Sequence, residues 1–146
     1  MQQFYDWYVP QTLRKTSERP FNSTTKYKSS FFSPELLRAL REDSDAQAKV
    51  SDDIVGIDFD PFLSSQDPCQ HNVVGNITQQ EDSYLAEVSA VCSGKKRRNP
   101  DVVPELIFKD GQWIFVNFHY PSEKQQENSN LLAVLKTLRE DRGKIP

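Results

Sequence analysis

The spacing of apolar positions changes along this chain, and each change marks a different element. Near the start, Phe4, Trp7 and Tyr8 recur at i, i+3 and i+4, the spacing of one helical face. Pro10 ends or kinks that helix, because proline lacks a donor and its ring crowds the preceding turn; a further helical turn reaches Leu13. Ser17 to Ser30 is polar, carries no period and reads as loop. Ser33-Pro34 opens a second helix: the serine hydroxyl caps free N–H groups, and proline fits the first helical position. Glu35 follows in the first turn, where the helix dipole favours negative charge. Leu36, Leu37 and Leu40 make its inner stripe, and the pattern runs to Asp43 or on through Ala46 and Ala48.

Ser51 to Gln70 is acidic and irregular, and beyond it the period falls to two. A short strand is predicted near Val73 to Ile77. A longer one follows, in which Tyr84, Ala86, Val88, Ala90 and Cys92 alternate with Leu85, Glu87, Ser89, Val91 and Ser93. Gly94 to Pro100 is a basic loop. Val102 to Lys109 is the next strand, Asp110-Gly111 is a dipeptide favoured in tight hairpins, and Trp113 to Tyr120 returns. A last helix starts at a Ser129 or Asn128 cap, presents Leu131, Val134, Leu135 and Leu138, and ends at Gly143. Helices, then consecutive antiparallel strands, then a helix make an α+β fold in which helices cover a sheet face.

Composition adjusts this picture rather than changing it. Only 36% of residues are apolar, yet nine Phe, five Tyr and two Trp supply rings that a disordered chain would lack. One domain spanning 1–146 is expected, with an aromatic core and long polar loops. Eighteen basic against 21 acidic residues give a net charge of -3, without the field of a nucleic-acid binder. No apolar stretch reaches membrane-spanning length. Met1 leads straight into Phe4-Tyr5-Asp6-Trp7-Tyr8, so the chain is expected to have been trimmed at its N-terminus. Cys69 and Cys92 have neither CxxC spacing nor a histidine cluster, which leaves two readings open: separate buried thiols or a disulfide.

Chemistry-bearing residues are few. His71 lies beside Cys69, but no Gly-rich or oxyanion element accompanies the pair, and loop residues explain both. Asp52, Asp53, Asp58, Asp60 and Asp67 lack a calcium-loop pattern and match turn chemistry, so no metal is expected. In Lys95-Lys96-Arg97-Arg98 the alternatives are a phosphate or anionic lipid site and a solvated hairpin loop, with the loop favoured. Strict alternation puts Trp113, Phe115, Asn117 and His119 on one side of their strand, with Ile114, Val116, Phe118 and Tyr120 on the other. Both sides are apolar, as in a central strand, so the domain's own helices cover one. A cavity, a second subunit or a partner covers the other. If that cover is a cavity, Trp113, Phe115, Asn117 and His119 are the ligand-binding candidates, two aromatic walls with two polar groups.

Phe4 to Tyr8, the helix start Ser33 to Leu36, the stretch Asp58-Phe59-Asp60-Pro61-Phe62-Leu63-Ser64-Ser65-Gln66-Asp67 and the strand Gly111 to Phe115 together resemble domain-of-unknown-function family 3828. That family is similar to the nuclear transport factor 2-like, or cystatin-like, superfamily. The resemblance implies a cone in which N-terminal helices pack on a curved antiparallel sheet of about four strands, with a C-terminal helix added. It also implies export from a bacterial cell, as a periplasmic protein or outer-membrane lipoprotein whose signal has been removed, and with it a Cys69–Cys92 disulfide. The function expected is a non-catalytic binding or accessory domain of the cell envelope, without cofactor, acting through a protein partner or a small ligand, or pairing through its sheet as a homodimer. Two alternatives stand beside it: an enzyme using His119 with a carboxylate in the cavity, and an immunity protein that neutralises a toxin. In every case Phe59, Phe62 and Leu63 are expected to plug the open end of the cone.

Overall fold

The computed structural model describes residues 1–123 and 129–144. Among them four α-helices accompany one five-stranded antiparallel sheet. The helices are α1 (Gln2–Thr12), α2 (Pro20–Tyr27), α3 (Pro34–Ala48) and α4 (Leu131–Arg142). The strands are β1 (His71–Gln80), β2 (Ser83–Cys92), the short β3 (Lys95–Lys96), β4 (Val103–Lys109) and β5 (Gln112–His119). They run β1-β2-β4-β5, with β3 paired to β2. The fold is α+β as the grouping of elements predicts.

α1 buries Phe4, Tyr5, Tyr8 and Val9. It continues through Pro10 to Thr12, because that ring lies exposed on the last turn, where one missing donor costs little. The Ser17 to Ser30 stretch is not all loop: α2 starts with Pro20 and faces the core with Phe21, Thr24 and Thr25. That i, i+3, i+4 stripe escapes a hydropathy reading because two of its members are threonines. α3 is capped as expected, with Leu36 N–H donating to Ser33 Oγ at 3.2 Å. At the start of α4 the cap is Asn130, whose Oδ1 accepts from Ala133 N–H at 3.0 Å. Ser129 instead offers its carbonyl to Tyr120 N–H at 2.8 Å, and Asn128 lies outside the described residues.

Two irregularities bend the sheet. Val74 faces Val88 and Ile77 faces Ala86, so β1 places two residues against one of β2. Phe115 faces Leu106 and Asn117 faces Glu105, which leaves Val116 as an extra residue in β5. Bulges of this kind increase local twist and re-aim side chains. The β4–β5 turn has positive φ at both Asp110 and Gly111, as a two-residue hairpin requires. β5 is an edge strand rather than a central one. Its free edge is bonded in part by Phe32, in a parallel bridge to Phe115, and by Asn130, in a bridge to His119.

The Asp-Pro-Phe-Leu stretch fills the space between helices and sheet. Phe62 is fully buried, with its ring against Phe4, Tyr8, Phe21, Phe32 and Phe118. Farther along, α3 and α4 clasp the loop before it: Asp43 accepts from Arg142 at 2.7 Å and from Ile57 N–H at 2.9 Å. Cys69 and Cys92 are joined in a disulfide with Cα atoms 5.1 Å apart, tying the entrance of β1 to the end of β2.

Candidate functional site

Opposed residues in a register share a face, so Tyr84, Leu106, Phe108, Trp113 and Phe115 all lie on the side of the sheet that the helices cover. Leu106 and Phe115 are buried there, but the cover ends toward the β4–β5 turn, leaving Trp113 43% and Phe108 56% exposed. The Trp113 ring is braced edge-on by Tyr84 at 4.9 Å and packs at a tilt against Phe108 at 5.0 Å. Facing them, α1 presents Trp7, 37% exposed, and the short turn after α2 presents Phe31. Between the two walls runs a groove of about 440 Å³, floored by Phe4, Leu106 and Phe115.

Lys28, the residue that ends α2, is the charged side chain lining this groove. Its Nζ lies 5.2 Å from the Trp7 ring centre and 5.7 Å from that of Phe31. An ammonium over ring faces gains from their negative quadrupole and remains available to an anion on its open side. A concave apolar surface carrying the Lys28 ammonium suits binding.

Of the four candidate residues on β5, the structure brings together two. Trp113 and Phe115 line the groove, but the extra residue Val116 flips the alternation, so Asn117 and His119 point to the opposite face. Asn117 is engaged at the start of α4: its Oδ1 accepts from Leu132 N–H at 3.2 Å, and its Nδ2 donates to Asn130 Oδ1 at 3.1 Å. His119 Nε2 lies 2.8 Å from Glu105 Oε2, at a recess of about 380 Å³ bordered by Leu85, Glu87 and Val103. A histidine–carboxylate pair can move a proton, and here it also ties β4 to β5. Trp7, Lys28 and Phe31 carry no sequence signal for a shared site, since separate elements supply them. Phe108 differs, because with Trp113 it flanks the Asp110-Gly111 turn.

The remaining candidates are structural. Asp60 accepts from Tyr8 Oη–H at 2.6 Å and from Phe62 N–H at 3.0 Å. Burial pushes its carboxyl up to about 6, against the opposing pull of these hydrogen bonds. Tyr5 donates to the Phe62 carbonyl and Tyr120 to that of Pro61, so three hydroxyls clasp the Asp60-Pro61-Phe62 turn. Burial, and then the Asp60 charge, hold all three phenols well above their ordinary range. Cys69 is bonded to Cys92 and is no thiol nucleophile for His71. In the basic run, Arg97 pairs with Asp101 at 2.5 Å, and Lys95 and Lys96 stand exposed on β3. Among the described residues, no group of three or more His, Cys, Asp or Glu side chains is placed to hold a metal ion, and no helix is long and apolar enough to cross a membrane.

No protein-family model and no curated protein matches the chain. Two solved structures share its fold. One is a protein of unknown function from Bacteroides thetaiotaomicron, 16% identical over 80% of this chain and 83% of that one, with a TM-score of 0.53. The other is a chain of the type VI native effector–immunity complex Tae3–Tai3 from Ralstonia pickettii. It is 20% identical over 81% of this chain and 89% of that one, with a TM-score of 0.56, so the fold is one that a chain of an effector–immunity complex also adopts.

Proposed function

We propose that the chain is a non-catalytic, extracytoplasmic binding domain that holds a protein partner in the groove between Trp7 and Trp113. The observation that carries this reading is the exposure of that aromatic surface on an otherwise hydrophilic chain with mean hydropathy -0.69. Contiguous apolar patches rimmed by polar residues mark interaction sites, and tryptophan is the residue that most often anchors them. The likeness to a chain of an effector–immunity complex supports a protein as the occupant and, more finely, an immunity protein that neutralises a toxin. The disulfide supports an oxidising compartment, and with it a periplasmic protein or outer-membrane lipoprotein. Helices packed on a bulged antiparallel sheet also support kinship with family 3828 and the nuclear transport factor 2-like superfamily.

The test is co-purification from cells that naturally make the protein, using tagged wild type, Trp7→Ala with Trp113→Ala, and Glu87→Ala on the outer face. Quantitative mass spectrometry is expected to find one protein enriched with wild type and Glu87→Ala and lost with the groove variant. A partner retained equally by all three contradicts the groove. The 2.8 Å His119–Glu105 pair favours a second reading, proton transfer in the outer recess. Under that reading His119→Ala abolishes a turnover that the groove variant leaves intact.

A further inference from the structure

The groove's lining places a charged side chain, Lys28, among apolar rings, and among the described residues no carboxylate lies within ion-pair distance of that cation. Among the described residues, the cations of Lys26, Arg97, Arg139, Arg142 and Lys144 each lie within ion-pair distance of a carboxylate. Lys28 does not, and unlike the other described lysines and arginines without such a partner, which are exposed, it is half-buried, with its Nζ held over Trp7 and Phe31. The other polar side chains of the lining, Gln3 and Gln112, are neutral. Water still solvates the open side of this ammonium in the free protein. Any partner that covers the groove removes that water, and a buried charge left without an opposite charge is strongly unfavourable. A wholly apolar partner would therefore strand Lys28, and a basic one would repel it.

We infer, resting on the groove as the protein-binding site, that it takes a partner segment in which an aromatic or aliphatic side chain stands next to an aspartate or glutamate. The apolar side chain enters between Trp7 and Trp113 over the Phe115 floor. The carboxylate meets Lys28 Nζ on the face that the rings leave open. Electrostatics then select the partner, while the tryptophans supply most of the buried area.

The experiment is selection of random peptides displayed on phage against the intact, disulfide-bonded protein and against Lys28→Glu. Wild type is expected to enrich peptides with an acidic residue within a few positions of an aromatic or aliphatic one, and Lys28→Glu to enrich lysine or arginine in its place. A synthetic peptide from the wild-type selection is expected to lose about tenfold or more in affinity for Lys28→Met, and likewise for Trp113→Ala. Matching melting curves show that these half-exposed substitutions leave the fold intact, and Trp7→Ala serves as a second groove variant. Enriched peptides that need Trp113 but carry no acid, and bind Lys28→Met as well as wild type, overturn the inference and leave the groove reading standing. Peptides indifferent to both tryptophans, or no enrichment at all, overturn both.

Discussion

Phe62 touches rings supplied by α1, α2 and β5 as well as Phe32, so truncating it opens a cavity that no single neighbour can fill. Phe62→Ala is expected to cost roughly 3–5 kcal/mol in urea or guanidinium unfolding. The adjacent Asp60 gives a pH signature. Its folded carboxyl is raised from 3.8 to about 6, so the folded state holds the proton more tightly than the unfolded one. That contribution is fully present below pH 3.8 and lost as pH rises through 6, roughly 3 kcal/mol over the window. Asp60→Asn keeps an acceptor for Phe62 N–H and removes the charge. The stability difference, wild type minus variant, is expected to fall between pH 4 and 6; a flat difference contradicts the assignment. The structural part of this turn is legible in the residues, since Asp-Pro-Phe-Leu already reads as a capped turn carrying a buried ring. Lys28 is not legible: a lysine in a polar stretch gains meaning only when folding sets two rings beneath it.

At the level of elements, period-two reading locates β2, β4 and β5, and an Asp-Gly dipeptide locates the hairpin. What it misses is Val116. One extra residue in β5 sends Asn117 and His119 to the face opposite Trp113, and a bulge of this kind leaves no compositional trace. α2 is missed for a related reason, since Thr24 and Thr25 bury themselves without being apolar. The disulfide ties the entrance of β1 to the end of β2, a pairing expected from an even cysteine count and the export that the resemblance implies rather than from their spacing of 23. Alkylation without reductant is expected to leave the intact mass unchanged. Replacing both cysteines by serine is expected to cost about 3 kcal/mol in the chain-entropy account. Two labelled cysteines would contradict the bond. The α3–α4 clasp offers a third check. Arg142→Met strands the Asp43 carboxylate, which is 4% exposed, and is expected to lower stability by about 3 kcal/mol. Gly56→Ala acts on the same clasp, because a Cβ there would lie 2.8 Å from Asp43 Oδ2.

For the whole molecule, one side of the sheet is closed by three N-terminal elements and the Asp-Pro-Phe-Leu turn, except where Trp113 and Phe108 reach past them. The sequence-level expectation of a doubly covered strand points to this region for a partly different reason. β5 is apolar on its inner side because it floors the core, and its edge is closed by Phe32 and Asn130 rather than by another strand. The uncovered remainder is the groove with its tryptophan walls, where the proposed partner would be held. Site-specific photocrosslinking tests this most directly. A benzophenone side chain is placed at Trp113, or at Glu87 on the outer face as the control, in cells that naturally make the protein, and adducts are identified by mass spectrometry. Position 113 is expected to yield one discrete protein adduct that position 87 does not. Equal adducts at both positions, or none at 113 while 87 crosslinks, would contradict it.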